Sequence, residues 1–112
     1  MSDGLLELGR FAEPSLYILV SLSDGPRHGY AIMQAVERSA DAEPRMGPGT
    51  IYGSLQRMEE AGLVREIAAR ADDRRRLFAL LPAGRRALVQ EAERLAHLAA
   101  LVRDKRLVPG EA

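Results

Sequence analysis

The 112-residue sequence predicts a mainly α fold with a two-stranded β-wing: a winged helix-turn-helix followed by a long C-terminal helix. Three observations carry this. Three stretches with helical apolar spacing are separated by Gly and Pro stops. The period then changes over residues 63 to 81, where two short apolar runs flank a charged turn. From Pro82 to about Arg106, apolar residues recur at heptad spacing.

Residues 1–13 lack clear punctuation and read as an N-terminal arm or short helix. Residues 14–81 form the predicted winged domain. Its first helix starts near Pro14, a good first-turn residue. Leu16, Leu19 and Val20 share one side, Ile18 and Leu22 widen it, and Asp24-Gly25-Pro26 ends it. A second helix is expected from about His28 to Ser39, with Ile32, Ala35 and Val36 inward and Gln34, Glu37 and Arg38 outward. After the loop ADAEPRMGP, the third helix is predicted over 48–61. Gly47 caps it, Pro48 suits its first position and Gly62 stops it; Ile51, Leu55, Met58 and Leu63 are its apolar side. LVREIAA and RRLFALL read as two strands. Val64, Ile67, Phe78 and Leu80 are apolar, and the turn Arg70-Ala71-Asp72-Asp73-Arg74 is exposed. Residues 82–106 form the predicted C-terminal dimerisation helix, and 107–112 a disordered tail.

Sixteen basic and sixteen acidic residues give zero net charge, which by itself argues against a nonspecific polyanion binder. The distribution is uneven. Residues 1–26 set Arg10 against Asp3, Glu7, Glu13 and Asp24. Residues 63–81 set five arginines against Glu66, Asp72 and Asp73. Residues 82–106 carry Arg85, Arg86, Arg94, Arg103, Lys105 and Arg106 against Glu91, Glu93 and Asp104. Positive charge is therefore concentrated in the C-terminal half. Cysteine is absent, which excludes disulfides, thiolate metal sites and a cysteine nucleophile. With His28 and His97 the only histidines, neither a metal site nor a cofactor is expected. The start lacks a basic region followed by an apolar run, and no apolar run approaches the roughly 18 residues of a spanning helix. A cytoplasmic location is expected. A phosphate loop, a dinucleotide fingerprint and a GxSxG elbow are missing, and neither histidine has a marked nucleophile and carboxylate beside it. The chain does not read as an enzyme.

Which residues face a partner? On the third helix the side away from the apolar positions carries Thr50, Tyr52, Ser54, Gln56 and Arg57, introduced by Gly-Pro-Gly. This composition suits a helix that reads the major groove. Gly49 has no side chain to hold the helix start away from a phosphate, and Thr50 adds a hydroxyl there. Tyr52 has an OH for phosphate and a ring for a sugar or thymine methyl. Ser54 and Gln56 are candidate base or phosphate contacts, and Arg57 suits guanine or phosphate. Gly53 costs a helix interior about 1 kcal/mol against alanine, and close approach of another surface is one reason to tolerate it. The bland alternative is an amphipathic surface helix with Tyr52 half-buried.

Arg70, Arg74, Arg75 and Arg76 cluster at the hairpin tip, placed to lie along a phosphate backbone or enter a narrow minor groove. The alternative is a solvated turn in which Asp72 and Asp73 neutralise two of the arginines. On the last helix, Leu88, Ala92, Leu95, Ala99 and Val102 repeat at spacings of 4, 3, 4 and 3, and Leu98 widens the stripe. This seam suits a partner helix, a fold-back on the first helix, or both. A dimer would place two reading helices roughly 34 Å apart on a two-fold site.

HGYAIMQAVE, GPGTIYGSLQRMEEAGLV and DDRRRLFALLPAGRRAL together resemble the PadR family of bacterial transcriptional regulators. The resemblance spans about residues 14 to 90. It rests on Gly29-Tyr30, on Gly49-Thr50-Ile51-Tyr52 with Leu55, and on Arg75-Arg76 through Phe78 to Gly84-Arg85. It implies a homodimeric winged-helix repressor of the compact kind, in which one C-terminal helix makes the dimer. It also implies DNA contacts near Thr50, Tyr52 and Ser54 and along the wing. Two positions depart from the family's habit. Gly53 stands where proline usually follows the tyrosine. Leu81 stands where threonine usually caps the last helix, a loss of about 1 kcal/mol. Two other readings stay open at this point: a winged-helix adaptor that binds protein, and a sensor with an unidentified small-molecule effector at a dimer interface.

Overall fold

The computed structural model describes residues 6–7, 10–11, 13–39, 47–68 and 70–109. Most of the loop between the second and third helices, the rest of residues 1–12, and residues 110–112 of the expected tail lie outside these. The elements run β1 (Leu6–Glu7), β2 (Arg10–Phe11), α1 (Glu13–Leu22), β3 (Arg27–His28), α2 (Gly29–Ser39), α3 (Pro48–Glu60), β4 (Val64–Ile67), β5 (Leu77–Leu80) and α4 (Pro82–Asp104). The described part of the N-terminal arm is not a helix: β1 and β2 pair as a short antiparallel ladder.

The three helices of the winged domain meet in one apolar core. α1 contributes Ile18, Leu19 and Leu22, α2 Ile32 and Val36, and α3 Ile51, Leu55 and Met58, closed by Val64, Phe78 and Leu88. Val20, placed by periodicity with the α1 core, is instead about half exposed. Its neighbour Ile18 takes the inward slot, because the buried face of α1 is centred between Ser15, Ile18 and Leu22. Ser21 is also buried; its hydroxyl donates to the Ile18 carbonyl at 2.7 Å, satisfying an otherwise costly polar group.

Turn chemistry sets where the helices stop. Gly25 has φ of 140°, and its N–H closes α1 on the Leu22 carbonyl. At the end of α3, Gly62 has φ of 78°. Its N–H bonds the Glu59 carbonyl and the Leu63 N–H bonds the Met58 carbonyl, the paired bonds of a Schellman stop.

The wing is broader than two strands. β5 sits in the middle of a three-stranded antiparallel sheet, with β4 on one side and β3 on the other. Val64 stands opposite Leu80 and Glu66 opposite Phe78; Arg27 faces Phe78 and His28 faces Leu77 across the other edge. His28 is therefore a strand residue directly before α2 rather than the first residue of the helix.

α4 begins without a side-chain cap, as Leu81 requires, and Pro82 occupies its first turn. Backbone contacts hold this helix start in place. The Leu81 N–H donates to the Leu63 carbonyl at 2.9 Å, and Gly84 lies so close to that carbonyl that a Cβ there would overlap it.

Candidate nucleic-acid interface

The buried side of α3 is Ile51, Ser54, Leu55 and Met58. The opposite side follows from helical spacing: Gly49, Thr50, Gln56 and Arg57 are exposed, with Gly53 partly covered between them. Ser54 is fully buried, which corrects its expected place on the outer face. It sits one position before Leu55, on the inward arc. Its Oγ accepts a hydrogen bond from Arg57 Nη2 at 3.2 Å, which steadies the arginine.

The start of α3 is open. Gly47 is the cap in extended conformation, no side chain caps the first turn, and Pro48 has no N–H to offer. Ile51 N–H closes on the Gly47 carbonyl, leaving the Gly49 and Thr50 amides at an exposed, dipole-positive end. Among the described residues, a Cβ on Gly49 would meet nothing within 4 Å, and one on Gly53 would meet only Arg57 Nη1 at 3.6 Å. No described neighbour requires either glycine.

Tyr52 is only half-exposed and packs against the core rim. Its ring lies 6.3 Å from that of Phe78, tilted by 58°. Its hydroxyl sits over Gly29 at the start of α2, where any Cβ would collide with it. The expected freely projecting tyrosine is therefore a tethered one. It lies against Gly29, from which α2 departs.

The wing tip brings Arg70, Arg74, Arg75 and Arg76 near one another but treats them differently. Arg70 and Arg74 are exposed, and no ion pair among the described residues holds them. Arg75 is held by Asp73: its N–H, Nε and Nη2 all donate to that carboxylate at 2.9–3.0 Å. Those bonds, the side-chain ones first, lower the Asp73 pKa from 3.8 to about 2. His28 Nε2 lies 3.4 Å from the same carboxylate, so the wing tip is also anchored to β3. Arg76 pairs with Glu66 across the hairpin. Asp73 does neutralise an arginine, as one reading of the turn expected, whereas Asp72 is exposed.

On α4 the expected seam divides. Leu88 is largely buried in the core of its own chain, the fold-back on the first helix that the seam also allowed: the first turns of α4 lie against α1. Further along, Leu95, Ala99 and Val102 are partly covered, Ala92 is exposed, and Leu98 and Leu101 are 47% and 46% exposed. Between α1 and α4 an apolar groove of about 270 Å³ is lined by Leu16, Tyr17, Val20, Leu88, Ala92 and Leu95. Among the described residues, no group of three acidic, histidine or cysteine side chains is placed to hold a metal ion. No helix there is long and apolar enough to cross a membrane.

A three-helix core with one open polar helix edge and a β-hairpin beside it defines a winged helix-turn-helix protein. The sequence pattern of the Transcriptional regulator PadR-like family matches residues 18–90, and the chain belongs to that family. It is 36% identical over 85 residues to the transcriptional regulator Rv3488 of Mycobacterium tuberculosis, covering 75% of this chain and 77% of that protein. It is 41% identical over 102 residues to an uncharacterized 37.1 kDa protein in transposon TN4556 of Streptomyces fradiae. That match takes in 91% of this chain but only 28% of the transposon protein. In fold it is similar to a PadR family transcription regulator from Clostridium difficile R20291, with a TM-score of 0.74 at 19% identity, over 83% of this chain and 97% of that one.

Proposed function

We propose that this member of a transcriptional-regulator family is a sequence-specific, homodimeric repressor that binds double-stranded DNA. In this reading α3 enters the major groove and the wing over 70–76 lies on the backbone or in the minor groove. The observation that carries it is the outer edge of α3. An uncapped helix start, two glycines that no described neighbour requires, and Thr50, Gln56 and Arg57 lie on one side. The amides of Gly49 and Thr50 suit a phosphate, and Gln56 and Arg57 suit base edges. Arg70 and Arg74 add backbone attraction.

The dimer reading draws support from the distal half of α4. Leu98 and Leu101 are too exposed for a helix that ends its work against its own domain. Leu95, Ala99 and Val102 continue that stripe beside the groove against α1. The groove of about 270 Å³ is lined by apolar side chains, which suits apolar side chains of a partner.

Fluorescence anisotropy with duplex from upstream of the chain's own gene, against a shuffled duplex and across salt concentrations, tests the reading. Preferential binding that weakens steeply with salt is expected. Equal, salt-insensitive behaviour on both duplexes would favour a protein-binding adaptor instead. Light scattering on the same samples reports whether the binding species is a dimer.

A further inference from the structure

Arg76 stands out from the other wing arginines. It immediately precedes β5, and although its side chain is 52% exposed, its guanidinium is shared among three other side chains. Its Cζ lies 5.2 Å from the Tyr52 ring centroid and 5.1 Å from that of Phe78, both within cation–π range. Its Nε and Nη2 donate to the two carboxylate oxygens of Glu66 at 3.3 and 3.1 Å. Its carbonyl accepts the Gly29 N–H at 3.2 Å, beneath the Tyr52 hydroxyl. One residue thus joins α3 through Tyr52, the partner strand β4 through Glu66, and the start of α2 through Gly29.

A guanidinium forked by a carboxylate and within cation–π reach of two rings already has its charge and its bidentate edge committed. A phosphate seeking that same edge would have to displace Glu66. Its place fits a different task. Tyr52 lies between Thr50 and Gly53 near the open start of α3, so whatever fixes its ring also fixes how that part of α3 is rolled against the wing.

We propose that Arg76 is a positioning residue for DNA reading: stacked on Tyr52 and paired with Glu66, it locks the start of α3 to the wing without touching DNA. This role rests on the DNA-binding reading above. Two directions of effect separate it from a phosphate contact. Arg76→Lys keeps the charge but loses the planar stack and the fork, and is expected to bind the upstream duplex about tenfold more weakly, within the range of couplings between contacting residues, with its salt slope unchanged. Glu66→Gln removes a negative charge from the wing, yet is also expected to weaken binding because the clamp loosens.

The test is the anisotropy salt series on the full chain for wild type and both variants. Ring resonances of Tyr52 in the DNA-free protein are read alongside by NMR. Both variants are expected to shift those resonances. The positioning role is overturned if Arg76→Lys binds like wild type, if Glu66→Gln binds more tightly with a steeper slope, or if the Tyr52 resonances stay in place. If wild type itself shows no salt-sensitive preference, the DNA-binding reading falls and this role falls with it. The ring shifts then identify the stack as a structural contact alone.

Discussion

The outer edge of α3 and the tip of the wing are both rich in groups that attract DNA, yet they are built in opposite ways. α3 leaves its donors unclaimed: the amides of Gly49 and Thr50 lack a side-chain cap, and Gln56 is exposed. Even Arg57 is merely steadied by a neutral hydroxyl from Ser54. The wing tip binds half of its own cations internally, Arg75 to Asp73 and Arg76 to Glu66, and leaves Arg70 and Arg74 exposed. The helix edge is poised for short-range reading. The wing combines a scaffold of ion pairs with two exposed charges. The number of arginines in a stretch is therefore a poor measure of the charge it can offer.

The largest expected effect concerns the helix. Arg57→Ala should weaken binding to the preferred duplex by about 10- to 100-fold, the roughly 1–3 kcal/mol of a good base contact, with little change on a shuffled duplex. Equal loss on both would make Arg57 a phosphate contact and erase the contrast with the wing. On the wing, Arg70→Ala and Arg74→Ala should each flatten the slope of log affinity against log salt by about 0.9, while Arg75→Ala should change it less. An equal flattening by Arg75→Ala would mean that DNA pulls Arg75 away from Asp73. Gly53→Ala sharpens the comparison from the protein side. Thermal melts should show the free chain stabilised by about 1 kcal/mol, because the new methyl meets only an arginine tip, while anisotropy shows severalfold weaker binding. A destabilised variant would place the need for glycine inside the fold.

The smallest effect is one of pH. Folding lowers the Asp73 pKa from 3.8 to about 2, so the unfolded chain takes up that proton more readily. The contribution of the Asp73–Arg75 loop is complete above about pH 4 and is lost as pH falls toward 2. Amide exchange followed by NMR should show the wing tip opening in that interval before the α3 amides do. Asp73→Asn should show the open tip already at neutral pH. Tip exchange that is the same in both proteins would deny the carboxylate its organising role.

How much of this was legible beforehand depended on the range of the cause. α3 and α4 announce themselves because their periodicity runs for many residues and their stops are Pro and Gly, which act locally. β3 left no trace: two residues have no period, and Arg27–His28 is a strand only because β5 lies beside it. The inward turn of Ser54 escaped notice because a serine is as common on an exposed face as under one. A boundary of some 100° on the helix decides which it is. Likewise, neutralisation of wing arginines was readable as a possibility. The choice of Glu66 for Arg76 needed the strand register, which joins residues ten apart.

The joint at Leu63 has a mechanical consequence. Its N–H holds the last turn of α3, while its carbonyl receives the Leu81 N–H and lies against Gly84 at the root of α4. A single residue thus joins the end of a 13-residue helix to the root of a 23-residue one. With about 1.5 Å of rise per residue, α4 is a lever of roughly 34 Å. Leu101 and Val102, toward the far end of that lever, belong to an element whose root is tied by this one residue to the end of α3.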